Sequence, residues 1–189
     1  MFNGYTVYPN YFVVKVMEEL KKQSCCFFGH RKIKETPTLK ERLIREIEFL
    51  ITEKKVERYY FGSKSEFDAL CHKIVTGLKQ KYPHIRRVYV RSAFPYISER
   101  YRERLMERYE DTYFPERIEN AGRAACLERN QEMINNSEFC IVYFDKNYMP
   151  PKRKVGKRDI MERQPRSGTA VAYSYAVRKK KKIVNVIDV

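Results

Sequence analysis

The stretch CCFFGHRK, from Cys25 to Lys32, decides the fold class of this chain. Four apolar residues run into Gly29, and the chain then changes abruptly to an imidazole and two cations. A short apolar run closed by glycine is typical of a parallel strand that is buried on both faces of its sheet. Glycine also permits backbone angles that a side chain would forbid. In an open parallel sheet such strand ends form the crevice where ligands bind, so the basic residues indicate an anionic ligand.

The segments that follow alternate between strand and helix patterns. An amphipathic helix opens at Pro37, a strand pattern covers VERYYFG (56–62), and Pro83 stops the next helix. The remaining predicted segments are a third strand at 85–92, an irregular segment at 94–119 with a helix at 98–109, a helix at 119–137, a fourth strand at 138–145, a helix at 167–182 and a last strand at 182–188. Strands separated by helices require crossover connections. The sequence therefore predicts a doubly wound, Rossmann-like α/β fold with a mostly parallel sheet.

Length, apolar runs and cysteine usage set the expected organisation and compartment. A chain of 189 residues suits one well-buried core, so we predict a single domain at 24–189 preceded by an arm and short helix at 1–23. No apolar run approaches the ~20 residues of a membrane helix, and the first residues lack the pattern of a signal peptide. The five cysteines are odd in number and mostly lie in apolar segments. We expect a cytoplasmic protein with no membrane partner and no metal site.

The formal charge of +15 bears on the partners of the chain and not on its fold. Two clusters supply much of it, Pro151–Arg166 and Arg178–Lys182. The second is explained by a helix that ends there, since cations near the carbonyl end of a helix are favourable and solvated charge runs are common. The cluster Pro151–Arg166 joins two elements at the end of a strand, so a solvated surface is a less complete explanation for it.

Polar and glycine residues follow several of the predicted strands and form a candidate anion site. The element with the strongest physical argument is Ser167–Thr169, because a helix start offers backbone N–H groups and a favourable dipole to a phosphate. Gly168 would let the anion approach the backbone closely. Simple helix capping explains the same residues without a ligand. Likewise, His30 could satisfy a buried carbonyl group, and Arg129 could merely lie on a helix surface.

Three of these motifs together resemble the YpsA-like branch of the SLOG superfamily, which includes the Smf/DprA and LOG proteins. They are the GHR step after the first strand, the RNxxMI stretch before the fourth and the Gly-Thr helix start, and the resemblance covers about Cys25 to Val186. It implies a Rossmann-like fold that binds nucleotides or nucleotide-derived ligands, often as a sensor. The ligand-binding residues implied are Gly29, His30, Arg31, Gly62, Ser63, Asp68, Arg129, Asn130, Ser167, Gly168 and Thr169, with Arg166 added as a cation beside them.

The LOG members of this superfamily are phosphoribohydrolases with a PGGxGTxxE signature whose glutamate takes part in the chemistry. The corresponding run here is RSGTAVAYSY, which has no acidic residue at that place. This departure favours a binding function over hydrolysis. If the chain is an enzyme, Glu66 and then Asp145 are the remaining candidates for the catalytic acid.

Three functions therefore remain as expectations. The first is a sensor-like binding module for a nucleotide or an ADP-ribose- or NAD-type ligand, with no required cofactor and with its phosphates on Ser167–Thr169 and Gly29–Arg31. The second is an N-glycosidic-bond hydrolase of the LOG type. The third is the binding of single-stranded nucleic acid, as in DprA, because a basic chain with interleaved Tyr and Arg suits backbone contacts and base stacking. The sequence leaves homo-oligomer formation open.

Overall fold

The alternating patterns of the sequence fold into one parallel sheet with helices on both faces. The computed structural model describes residues 11–62, 65–150 and 166–187. The strands are β1 (Ser24–Gly29), β2 (Arg58–Phe61), β3 (Arg86–Val90), β4 (Asp111–Tyr113), β5 (Phe139–Tyr143) and β6 (Lys182–Asn185). The helices are α1 (Tyr11–Lys22), α2 (Pro37–Thr52), α3 (Glu66–Lys81), α4 (Glu99–Met106), α5 (Gly122–Asn135) and α6 (Gly168–Arg178).

The order of the strands places a topological switch point between β1 and β5. The sheet runs β4-β3-β2-β1-β5-β6, and every neighbouring pair is parallel. From β1 the chain winds outward through β2 to β4, and β5 then returns to the other side of β1. In open sheets of this kind, the loops at the carboxyl ends of the two strands flanking the switch diverge and leave a crevice. The fold is therefore α/β and Rossmann-like, as the sequence predicts.

Each face of the sheet is covered by its own hydrophobic core. Cys25 and Phe27 of β1 pack with buried residues of α2 and α3, whereas Cys26 and Phe28 pack with α5 and α6. Since successive side chains of a strand point to opposite faces, the apolar run of β1 serves both cores at once. Its burial on both sides explains why this strand shows no polar alternation.

Four helices begin at the carboxyl edge with a side-chain cap, and at the start of α4 the hydroxyl of Ser98 accepts a hydrogen bond from the N–H of Tyr101. Thr36 accepts a hydrogen bond from the N–H of Leu39, and Ser65 accepts one from Asp68. Ser167 does the same for Ala170 at the start of α6. These caps satisfy first-turn N–H groups and fix where each loop enters its helix. They hold the loops of this edge in place.

The segment at 94–119 contains a strand that the sequence prediction missed. Residues 111–113 form β4, which pairs with β3 from Val88 to Val90. Three residues with the sequence DTY are too short and too polar to show a strand period. The strand forms because of its partner: the N–H of Arg91 donates to the carbonyl of Tyr113 at 2.9 Å. The helix predicted at 98–109 is shorter and ends at Met106.

Two predicted segments lie wholly or partly outside the described residues. Residues 1–10 of the expected arm and 151–165 of the basic cluster are among them. The described end of the arm is joined to the sheet, because the carbonyl of Gln23 accepts hydrogen bonds from Glu57 and Arg58. Among the described residues, no helix combines the length and the apolar character that crossing a membrane requires.

Candidate functional site at the carboxyl edge

His30 lies at the switch point, immediately after β1. Its side chain is 3% exposed, and its Nε2 atom accepts a hydrogen bond from the backbone N–H of Asp145 at 2.9 Å. A nitrogen that accepts an N–H carries no proton, so the proton of the neutral ring is on Nδ1. Burial lowers the pKa of His30, which favours this neutral form. Among the described residues, Nδ1 finds no hydrogen-bond partner although it is buried.

Aromatic rings surround His30 and connect it to α6. The imidazole lies 4.1 Å from the ring of Tyr148 and 6.0 Å from that of Phe144, centre to centre. Phe144 in turn stacks on Tyr173 of α6 at 4.5 Å. Asn185, at the end of β6, exchanges two hydrogen bonds with the backbone of Phe144. The loop after β5 is thus fixed between β1 and α6, and sequence reasoning did not single out Asn185 or Tyr148.

The start of α6 lies at the same edge, because α6 follows β5 and precedes β6 in a parallel arrangement. Ser167 caps the helix, and the N–H of Ala170 donates to its hydroxyl at 3.0 Å. A Cβ atom on Gly168 would meet only Leu127 Cδ2, at 3.8 Å, so packing does not require a glycine here. Thr169 is 7% exposed. The exposed Arg166 donates to the hydroxyl of Ser174 at 2.8 Å.

Gly29 has a packing role that the sequence prediction did not foresee. Its φ is not in the left-handed region, so backbone freedom is not the reason for the glycine. A Cβ atom at this position would lie 2.5 Å from Cδ1 of Phe67 and 2.9 Å from its Cβ. Phe67 is fully buried in the first turn of α3. Gly29 therefore admits the close contact between the end of β1 and the start of α3.

Glu66, the first candidate for a catalytic acid, holds the loop after β1. Its carboxylate accepts hydrogen bonds from the Lys32 ammonium at 2.9 Å and from the N–H of Ile33 at 3.1 Å. Its own N–H donates to the carbonyl of Arg31 at 2.9 Å. The Lys32 contact, followed by that of Ile33, lowers the pKa of Glu66. Arg31 itself is exposed beside this link.

Asp145, the second candidate, closes a turn. Its Oδ1 atom accepts a hydrogen bond from the N–H of Asn147 at 2.8 Å. A side-chain oxygen that bonds to the backbone two residues later forms an Asx turn, which fixes the local chain path. Together with the N–H bond to His30, this gives Asp145 a structural part in the crevice.

Arg129 fills the space at the ends of β2 and β3. It is 5% exposed, and its Nη1 atom donates to the carbonyl of Gly62 and, at 3.4 Å, to the hydroxyl of Ser92. Its Nη2 atom donates to Oδ1 of Asn130 at 2.9 Å. A Cβ atom on Gly62 would lie 2.7 Å from Cδ of Arg129 and 2.8 Å from the carbonyl oxygen of Val90. Burial lowers the pKa of Arg129, but a guanidinium remains charged in proteins.

The predicted site residues therefore fall into two groups along one edge. Gly29, His30, Arg31 and the start of α6 flank the switch point, on the loops of the neighbouring strands β1 and β5. The second group, at the ends of β2 and β3, consists of Gly62, Asp68, Arg129 and Asn130. Asp68 is buried and contributes electrostatically to the pKa of Arg129. Ser63 lies outside the described residues. The Arg129 group is occupied by internal hydrogen bonds, whereas at the switch point Nδ1 of His30 has no partner among the described residues.

The opposite, amino edge of the sheet carries other features. A cavity of about 260 Å³ there is lined by strand residues such as Arg58, Tyr60 and Asp111. The cluster Arg178–Lys182 also lies at that edge, where α6 ends, and Lys181 Nζ donates to the carbonyl of Ser137. We place the candidate site at the carboxyl edge because loops diverge at a switch point only on that side. The described residues bring no three His, Cys, Asp or Glu side chains together as a metal site would need.

Comparison with known proteins identifies the fold. No protein-family model and no curated protein sequence matches the chain. Its structure is similar to that of DNA processing protein A from Helicobacter pylori, a structure described for its single-stranded DNA binding mode. The TM-score is 0.53 at 14% sequence identity, over 89% of this chain and 66% of the other. The chain thus spans about two thirds of the length of that protein, and at this identity the likeness establishes a shared Rossmann-like architecture.

Proposed function

We propose that this chain is a binding module for a nucleotide or nucleotide-derived ligand, held at the carboxyl edge of the sheet. The observation that carries the proposal is the convergence of two loops at the switch point. The turn Gly29–Arg31 follows β1, and the start of α6 follows the neighbouring strand β5. Ligands of open α/β sheets bind at this place.

The start of α6 would receive a phosphate group. Ala170 donates its N–H to the cap, and the N–H of Val171 donates to the carbonyl of Ser167. Among the described residues, the N–H groups of Gly168 and Thr169 are then the first-turn donors left for an anion. The space beside Gly168 would let a phosphate oxygen reach the backbone.

The loop after β1 would supply the second set of contacts. The buried Nδ1–H of His30 lacks an acceptor among the described residues, and such a donor is costly unless a ligand or a water pairs with it. The exposed guanidinium of Arg31 could add a charge-assisted hydrogen bond to a phosphate. The resemblance of these residues to the YpsA-like branch supports a nucleotide-derived ligand, such as an ADP-ribose- or NAD-type compound, and a sensor-like role without a required cofactor.

The contacts of the two acidic candidates argue against the hydrolase alternative. A general acid works best with a raised pKa, whereas the pKa of Glu66 is lowered by Lys32. Asp145 is engaged in its turn. The first turns of α6 offer Val171, Ala172 and Tyr173 where LOG proteins have their glutamate. Incubation with AMP and chromatography of the products test this alternative. Release of adenine would favour the hydrolase over the binding module.

Single-stranded nucleic acid is a second candidate, favoured by the charge of +15 and by the similarity to a protein with a described single-stranded DNA binding mode. Phosphate contacts make such binding strongly dependent on salt. If nucleic acid is the ligand, the affinity for an oligonucleotide should fall steeply as salt is added. A salt-independent affinity would exclude this candidate.

The proposal is tested by thermal shift with AMP, NAD, ADP-ribose and cyclic nucleotides. A ligand at about 100 times its Kd stabilises the folded state by roughly 2.7 kcal/mol. For a chain of this size that corresponds to a rise in Tm of roughly 5 to 10 °C. If no phosphate-bearing compound raises Tm, the proposed function is wrong.

A further inference from the structure

The loop between β3 and α4, residues 92–98, exposes two aromatic rings at the edge that carries the candidate site. We call it the aromatic loop. Phe94 is 71% exposed and Tyr96 is 93% exposed. Because the loop follows the carboxyl end of β3, it lies on the same side of the sheet as His30 and the start of α6. The two residues stand in one short loop, and exposed apolar surface that is concentrated in one place often marks a binding surface.

The backbone of the aromatic loop is held in a strained conformation. Phe94 has φ of +57°, which is an outlier for a bulky side chain. The Nη1 atom of Arg91 donates to the carbonyl of Phe94 at 2.6 Å and to that of Pro95 at 3.2 Å. The proline between the two aromatics restricts the chain further. Strain of this kind persists only where the surrounding structure imposes it, and it is concentrated at functional sites.

The chain around the aromatic loop is basic. Between residues 91 and 104, four arginines stand against two glutamates. The guanidinium of Arg104 lies 5.7 Å from the ring centre of Tyr101, on the helix that follows the loop. Exposed aromatic rings among arginines are the combination with which proteins bind single-stranded nucleic acid, since rings stack on bases and cations contact phosphates.

We propose that Phe94 and Tyr96 stack on the bases of a single-stranded nucleic acid whose phosphates lie along the carboxyl edge. The inference rests on the proposed phosphate site at the switch point and deepens the second candidate function, the binding of single-stranded nucleic acid. Three strand spacings separate β3 from β5, which is roughly 14 Å. A ligand that contacts both the aromatic loop and the start of α6 has to cover this span, which a chain of several nucleotides does.

The test uses a tryptophan reporter, because the chain contains none of its own. A Tyr96→Trp variant is titrated with an oligodeoxythymidine and with an abasic deoxyribose-phosphate chain of the same length and charge. We expect quenching of the tryptophan fluorescence by the base-bearing chain only. Equal quenching by both chains, or none by either, would overturn the stacking inference.

Affinity measurements by fluorescence anisotropy give the second readout. Stacking of one base is worth about 1–3 kcal/mol, which is about 5- to 150-fold in affinity, so Phe94→Ala with Tyr96→Ala should weaken binding of the base-bearing chain by at least that factor. Binding of the abasic chain should not change. Phe49→Ala is the matched control, since Phe49 is 45% exposed near the end of α2 at the opposite edge. An unchanged affinity in the double variant would contradict the proposal.

The outcomes separate this inference from the proposed function. If phosphate-bearing mononucleotides give no thermal shift, the assignment of a phosphate site to the switch point is wrong. If they do shift Tm but wild-type protein binds base-bearing and abasic chains equally, only the stacking role of the aromatic loop is wrong. Both replaced side chains are exposed, so circular dichroism should show an unchanged fold in the double variant.

Discussion

The Nε2 atom of His30 accepts a hydrogen bond from the backbone N–H of Asp145, which joins the loops after β1 and β5 across the switch point. The bond requires a neutral imidazole, and the buried ring favours that state. The crevice that we assign to a ligand is therefore held together by a titratable group whose pKa burial lowers.

Stability should fall as the pH is lowered through about 6.5. The pKa values of His30 and His72 are both lowered from 6.5, mainly by burial, so between the folded pKa and 6.5 the unfolded chain binds more protons than the folded one. The free energy of unfolding then decreases with falling pH in that window and levels off below it. Urea unfolding between about pH 8 and pH 5 measures this.

The matched variant for this prediction is His30→Gln, whose longer side chain can place an amide oxygen near the position of Nε2, where it accepts the Asp145 N–H but does not titrate. Its stability should change less with pH than that of the wild type. An identical pH profile in the two proteins would show that His30 does not titrate in this window.

Gly62→Ala should destabilise the protein by about 1–3 kcal/mol, because the added methyl group meets the Arg129 side chain and the Val90 carbonyl at under 3 Å. Gly77→Ala is the control, since a Cβ atom there meets nothing within 4 Å. Gly77 lies inside α3, so this replacement should stabilise the protein by about 0.5–1 kcal/mol. Chemical denaturation compares the two, and a similar effect of both variants would contradict the close packing at Gly62.

Gly168→Val should abolish the nucleotide-induced rise in Tm while the protein remains folded. The nearest contact of an added Cβ atom is an ordinary 3.8 Å from Leu127, but a branched side chain would cover the backbone N–H groups at the start of α6. Thermal shift with and without ligand separates the two effects. Loss of soluble protein would assign Gly168 a structural role, and an unchanged ligand response would place the phosphate elsewhere.

Phe94→Gly should leave the protein as stable as the wild type or stabilise it by up to about 1 kcal/mol, because glycine adopts φ of +57° without strain. The same variant should lose affinity for the base-bearing oligonucleotide. Phe49→Gly, inside α2, should instead destabilise the protein by about 1 kcal/mol. A Phe94→Gly variant that unfolds as easily as Phe49→Gly would show that the ring of Phe94 supports the fold.

The position of the candidate site could be predicted from local patterns, but its contacts could not. Gly29 and Gly62 stand out in the sequence because each ends an apolar run. Their actual partners, Phe67 and Arg129, come from other elements. Arg129 is 67 residues from Gly62 along the chain, and His30 is 115 residues from Asp145. A sequence pattern that is read over a few residues cannot reveal contacts between residues so far apart along the chain.

The sequence by itself determined the α/β class, the parallel character of the sheet and the side on which the loops gather. These follow from burial and periodicity, which each segment carries on its own. Tertiary structure alone decided the strand order, the formation of β4 from the residues DTY and the internal pairing of Arg129. It also decided the exposed, strained position of Phe94. The reason is physical: strand pairing and side-chain contacts depend on which distant segments meet, and the free energy of those contacts exists only once the sheet has formed.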